Sequence, residues 1–229
     1  MNLGSALPGV QANLQAWVGY QTLAEVLASC PELKVFVAGG AVRNCVLDPP
    51  RPVRDFDFFL DGPSFPRAIK ILEGHGSLQQ TPYGSPRWHP ANHPEQYADF
   101  IPIRDFRPGL WPCEDIVDVL NQFDFTASAL AFDLRTGQGF NPQNGLRDLT
   151  RRTMRMVRFD YPEGPFIPGA GLSRNAVLWF RILHYASMLG FGIEPFTLDW
   201  LRAHRDYQRH AVDFSALFFR PHPGYQDPL

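Results

Sequence analysis

The chain has 229 residues, 45% of them hydrophobic, with 21 Lys and Arg against 23 Asp and Glu. That is one large domain, or a domain with a small appendage, with enough apolar side chains for a proper core. No apolar run approaches the roughly 18–20 residues of a membrane span, and the near-zero net charge excludes a general nucleic-acid coat, which would be basic throughout.

In chain order, residues 12–29 carry Leu14, Trp17, Val18, Leu23, Val26 and Leu27 at helical period, stopped by Pro31. KVFVA at 34–38 reads as a buried strand ending in Gly39-Gly40, followed by a helix over 41–47 and a Pro-rich turn over 48–53. RDFDFFL at 54–60 is the second strand, 66–73 a helix, and 81–94 a loop rich in Pro and His. QYADFIPIR at 96–104 alternates as a strand, with Pro102 favouring an edge or a bulge. A helix over 114–121 precedes a strand over 126–134 and a turn over 135–139; a short helix after Asn144-Gly145 leads to a strand over 153–157. Residues 160–171 read as a Pro/Gly-rich linker, and 172–189 as an amphipathic helix with Ser173 as cap and Gly190 as stop. A helix over 197–209 and an irregular tail complete the chain. The pattern predicts an α/β (α+β) domain with a mixed sheet flanked by helices over 1–158, and a short helical extension over 172–229.

The chemistry concentrates in residues 35–62. A Gly pair at a strand end that opens a helix lets backbone N–H groups approach phosphate, and Arg43 lies one turn on. Asp55 and Asp57, two apart on a strand, point to one face. A D-x-D pair on a strand is usually solvated, but Phe56, Phe58 and Phe59 mark this strand as buried. Two buried, adjacent carboxylates call for a cation, and hard oxygen ligands suit Mg²⁺ or Mn²⁺. Two-metal phosphoryl transfer uses a third carboxylate, for which Asp99 is the candidate, with pairing to Arg104 or Arg54 as its structural alternative.

GGAVRN…RDFDFFLDG resembles the GGxVRDxLLG…DxDxxxxG signature of the class II CCA-adding enzymes and bacterial poly(A) polymerases, nucleotidyltransferases of the polymerase-β superfamily. The likeness continues through FDFTASALAFDLRTG…NPQNGLRDLTRRTMRMV and FRILHYASMLGFGIEP, in order, over about 35–196. It implies a polymerase-β-like head with a helical neck, and metal ligation and catalysis by Asp55, Asp57 and Asp99. It implies nucleotide binding by Gly39, Gly40, Arg43, Asp124 and Arg155, with an NTP as substrate and an RNA or tRNA 3′ end as acceptor. The departures from the pattern bear on specificity. Gln122 and Phe123 stand where the family has two arginines, Ser128 replaces an Asn, and Asn44 an Asp. The E-D-x-x-R pattern that reads the incoming base becomes Arg174, Asn175 and Leu178. The body and tail that grip tRNA in the family have no counterpart in the sequence. The expectation is therefore transfer with altered base specificity; a decayed binding module, a toxin-like or metabolite-modifying enzyme, and a protein partner that supplies RNA binding stay open.

His89 and His93 are separated by prolines that break any shared helical face, so a metal pair is disfavoured and a lid or connecting loop preferred. Arg147, Arg151, Arg152, Arg155 and Arg158 form either a solvated face or an RNA-backbone rim. Trp179, Phe180, Tyr185 and Phe191 are expected as neck core. Residues 1–15 lack a signal peptide's basic and apolar regions, and three cysteines, odd in number, form no disulfide framework. A reducing, cytoplasmic setting is the default.

Overall fold

The computed structural model describes residues 2–47, 50–106, 109–166 and 169–229. Of the turn expected at 48–53, Asp48 and Pro49 lie outside the described residues, as do Ile167 and Pro168 of the expected linker. The elements run α1 (Leu7–Ala16), α2 (Tyr20–Ser29), β1 (Lys34–Ala38), α3 (Gly40–Val46), β2 (Phe56–Asp61), α4 (Phe65–Gly74), β3 (Gly76–Gln80), β4 (Pro86–Pro90) and β5 (Ala98–Pro102). Then come α5 (Ile116–Leu120), β6 (Ala131–Asp133), β7 (Gly139–Phe140), α6 (Gly145–Thr150), β8 (Thr153–Met154), α7 (Arg174–Leu189), β9 (Gly192–Ile193), α8 (Pro195–Ala203) and α9 (Ala211–Leu217).

Seven strands form one mixed sheet in the order β3-β4-β5-β2-β1-β6-β7, in which β2 and β5 are parallel and every other pairing is antiparallel. Alternation along β2 divides the core. Phe56, Phe58 and Leu60 join the large cluster with Val35, Val37 and Phe100, while Phe59 joins a smaller one with Phe36, Ala38, Ile116 and Leu120. The smaller cluster covers only part of its face. Asp57, on that face, is left beside a cleft.

Several expectations are corrected; the strand over 126–134 keeps only β6, and the tail expected to be irregular contains α9. The single helix over 12–29 is two, because Trp17 takes an extended conformation (φ −76°, ψ 136°) and inserts its ring against Phe56, Phe58 and Trp88. The loop over 81–94 contains β4, whose prolines sit at its ends, where missing N–H groups are tolerated. β4 pairs with β3 on one side and β5 on the other. The strand over 153–157 shortens to β8, which pairs with β9 in a separate two-stranded sheet. The α7 expectation holds: the Ser173 hydroxyl accepts from Ala176 N–H, and Gly190 closes the helix in a left-handed conformation (φ 68°). Trp179, Phe180 and Phe191 are buried as expected, whereas Tyr185 is only half-buried and faces the cleft. All three cysteines are free. Among the described residues no helix is long and apolar enough to cross a membrane.

Candidate active site

A cleft of about 420 Å³ opens where the C-terminal end of β1, the N-terminal ends of β2 and β5, and α7 meet. One wall is acidic. In the parallel register Asp57 lies directly beside Asp99, and Asp55 immediately precedes β2. Burial, and then the charges of Asp99 and Asp55, push the Asp57 carboxyl up to about 7. Gly39 adopts φ 72°, and a Cβ there would stand 3.1 Å from Asp57 Oδ2, so glycine lets the backbone turn against the carboxylate. Asp57 receives no side-chain hydrogen bond among the described residues. The pair is not buried as expected: Asp55, just outside the strand, is exposed and accepts from the Tyr97 hydroxyl, and Asp57 is half-buried. Two such neighbouring carboxylates still fit a hard divalent cation.

Asp99 is engaged otherwise. Arg87 of β4 donates from Nε and Nη2 to its two oxygens at 2.7 and 2.8 Å. The alternative pairing expected with Arg104 or Arg54 is thus realised with a different arginine; Arg104 instead reaches Asp61. Among the described residues no three His, Cys, Asp or Glu side chains converge as a metal site.

The neighbouring wall is built by Gly39, Gly40 and Arg43 at the start of α3. Arg43 is 5% exposed. It donates to Ser128 Oγ at 3.0 Å and to Asn44 Oδ1 at 3.2 and 3.0 Å, and its guanidinium lies 5.1 Å from the Tyr185 ring centroid. Among the described residues it has no carboxylate partner. The substitutions noted at 44 and 128 therefore surround this cation with neutral acceptors and leave its charge available to an anion. Burial pulls its pKa down, yet a guanidinium remains protonated.

Opposite stands a third group. Asp124 accepts from Arg174 Nη2 at 2.7 Å and from Arg181 Nε, and Arg174 also donates to the Tyr83 hydroxyl at 3.1 Å. Burial alone would raise the Asp124 pKa, but Arg181 and Arg174 overcome it and hold the carboxyl below its usual range. Asp124 thus lines the cleft as a clamp for two arginines.

Arg155, expected at the nucleotide, does not line the cleft. Its Nε and Nη2 bond Asp148 Oδ2 and the Gln143 carbonyl at 2.9 and 2.6 Å, and Asp148 in turn accepts from Thr126. Gln122, where the family has arginine, is buried and bonds the loop at 110–111 and Cys113, while Phe123 packs on Phe59. His89 bonds the Pro94 carbonyl and His93 pairs with Glu95, so the two imidazoles have separate partners. Within the arginine cluster, Arg147 also bonds Asp148 and Arg158 forks onto Asp160 beside Trp111. The residues that sequence reasoning passed over are Arg87, Tyr83 and Tyr97, together with Leu217, Phe218 and Phe219, which line the cleft from the far end of the chain. Tyr83 and Arg87 lie in the Pro-punctuated stretch read as loop, and Tyr97 at the start of the stretch read as a strand over 96–104.

No protein-family model matches the chain. It is 28% identical over 188 residues to a Multifunctional CCA protein of Xanthomonas campestris pv. campestris, covering 76% of this chain and 40% of that protein. It is 29% identical over 183 residues to the Multifunctional CCA protein of Haemophilus ducreyi, covering 74% and 39%. The chain spans about 40% of the length of the curated relatives it matches. Among solved structures, a CCA-adding enzyme in complex with CTP superposes at TM-score 0.64 with 18% identity, over 90% of this chain and 49% of that one. A tRNA nucleotidyltransferase complexed with a primer tRNA and an incoming ATP analog gives 0.59 and 20%, over 82% and 51%. The likeness to CCA-adding enzymes holds in sequence and in fold: the mixed sheet flanked by helices is that of their nucleotidyltransferase head.

Proposed function

We propose that this chain is a metal-dependent nucleotidyltransferase that moves a nucleoside monophosphate from an NTP to a hydroxyl acceptor, with release of pyrophosphate. Residues 1–158 act as catalytic head and 172–229 as helical neck. The single observation that carries the reading is the cleft's polarity: Asp57, crowded by Asp55 and Asp99 and without a hydrogen-bond donor of its own among the described residues, on one side, and the buried, carboxylate-free Arg43 beside Gly39-Gly40 on the next. That is the charge pattern of a cation and a polyphosphate bound side by side. Relatives named CCA proteins support a tRNA 3′ end as acceptor. No base-reading acid faces the cleft from α7, whose Arg174 and Arg181 are tied to Asp124, which supports a base specificity different from CCA addition. A cytoplasmic setting is part of the proposal, supported by the three free cysteines.

Asp55 and Asp57 would hold Mg²⁺ or Mn²⁺. Bound there, the ion would acidify the acceptor hydroxyl and neutralise the phosphates. Arg43 would hold the triphosphate by charge-assisted hydrogen bonds, with Gly39 keeping the backbone close. Asp99 would orient or deprotonate the acceptor once its oxygens are released. Incubation with each labelled NTP, Mg²⁺ and total RNA tests the reading. Transfer of one or two nucleotides, abolished by D55A, is expected; no transfer to any acceptor, with D55A indistinguishable from the native chain, overturns it.

The Arg87–Asp99 pair favours a second reading, a nucleotide- or RNA-binding module without catalysis. NTP retention on D55A and native protein alike, without turnover, would select it. Phe196 and Val212, 76% and 80% exposed after Gly171, are the positions through which a protein partner would dock.

A further inference from the structure

Arg87 stands directly across from Asp99 in the antiparallel β4–β5 register. Two parallel N–H donors on two carboxylate oxygens form the fork-to-fork geometry that makes arginine–carboxylate pairs strong and directional. The arginine side chain is 31% exposed and the aspartate 14%, so the pair sits at the lip of the cleft with the guanidinium toward solvent. Tyr97, one turn of the pleat before Asp99, supports both ends of the arrangement. Its ring lies 4.1 Å from the Arg87 guanidinium, and its hydroxyl donates to Asp55 Oδ2 at 3.2 Å. Asp55 and Asp99 are thus each held, while Asp57 between them is not.

We propose that Arg87 is a positioning residue that keeps the third carboxylate in reserve. It occupies both Asp99 oxygens, so that Asp55 and Asp57 form the first cation site and Asp99 joins a second only when Arg87 withdraws. This rests on the reading of the acidic wall as a divalent-cation site. With Arg87 in place, a second divalent ion at Asp99 would meet a guanidinium as close neighbour and would find the carboxylate's charge already neutralised. Removing the fork restores an unpaired carboxylate next to Asp57, where like charge makes a cation more welcome. Arg87 is exposed enough to swing outward without disturbing the buried core beneath Trp88 and Phe100.

The test uses Mn²⁺ alone, without nucleotide, counted on the full chain by electron paramagnetic resonance with thermal melting in parallel. The native protein is expected to bind one Mn²⁺, with a second much weaker. R87Q is expected to tighten the second site by roughly tenfold to a hundredfold, the scale set by losing a charge-assisted pair, and R87Q/D99N to abolish that gain. Identical isotherms for R87Q and the native chain, or a gain that persists in R87Q/D99N, overturn the proposal. Should R87Q not fold, R87K carries the test, because lysine keeps the charge and loses the fork: a smaller gain of the same sign supports the proposal and none overturns it. D57N separates the two levels. Mn²⁺ binding lost in D57N with R87Q unchanged defeats only the role of Arg87, whereas D57N binding like the native chain defeats the cation reading itself.

Discussion

Two walls of one cleft each contain a half-buried aspartate, and they treat it in opposite ways. Asp57 lies among other carboxylates, with its pKa raised to about 7 by burial, Asp99 and Asp55. Asp124 lies between Arg174 and Arg181, which hold its pKa below the ordinary range against the same burial. The first arrangement leaves like charges facing one another; the second is satisfied within the fold. Buried charge therefore marks a site here only where the chain has left it uncompensated.

The sharpest way to break this contrast is to neutralise each aspartate. D124N leaves two half-buried guanidiniums without their carboxylate and is expected to lower folding stability by up to about 3 kcal/mol in urea denaturation. D57N removes an unfavourable charge and is expected to leave the urea midpoint unchanged or raised, while transfer activity falls at least about a hundredfold. If both variants lose stability alike, the two walls do not differ as described. Arg43 tests the anion side. R43K keeps the charge and loses the bonds to Ser128 and Asn44, and is expected to raise the KM for NTP roughly tenfold with a smaller change in kcat. An unchanged KM would remove Arg43 from phosphate binding. The smallest effect concerns His184 of α7. Burial, followed by the charges of Arg181, His222 and Arg43, pushes its pKa down from 6.5 to about 4, and its Nδ1 accepts from the His222 N–H. Between those values the unfolded chain binds a proton that the folded chain refuses, so stability is intact above pH 6.5 and falls as pH drops toward 4. H184Q is expected to flatten that part of the melting temperature–pH curve; an unchanged slope would assign the acid sensitivity elsewhere.

The same contrast shows what the sequence made legible. The strand pair around Gly39-Gly40 and Asp57 was readable because its signals are local: an apolar run, a glycine pair, and carboxylates at strand period. The cap and stop of α7 were local too. Arg87 was not readable, because its meaning depends on β4 lying beside β5, and four prolines between 82 and 94 hid the strand that delivers it. Arg174 read as a lost base-recognition acid, and only the fold reveals that it closes on Asp124, fifty residues away in the sequence. Arg155 erred in the other direction. The motif placed it at the nucleotide, but Asp148, seven residues before it, and the Gln143 carbonyl engage its guanidinium instead.

The neighbourhood of β5 has a further consequence, for the order of assembly. β4 and β5 are joined by a short segment, whereas the parallel pairing of β2 with β5 must span α4 and the β3–β4 hairpin. Closing the shorter loop loses less chain entropy, which favours antiparallel β4–β5 pairing ahead of the parallel one. In that order Asp99 would come beside Asp57 with Arg87 already on it. The like charges of Asp57 and Asp99 would then meet with one of them paired, and the guanidinium that holds Asp99 in the finished cleft would have served first as its escort during folding.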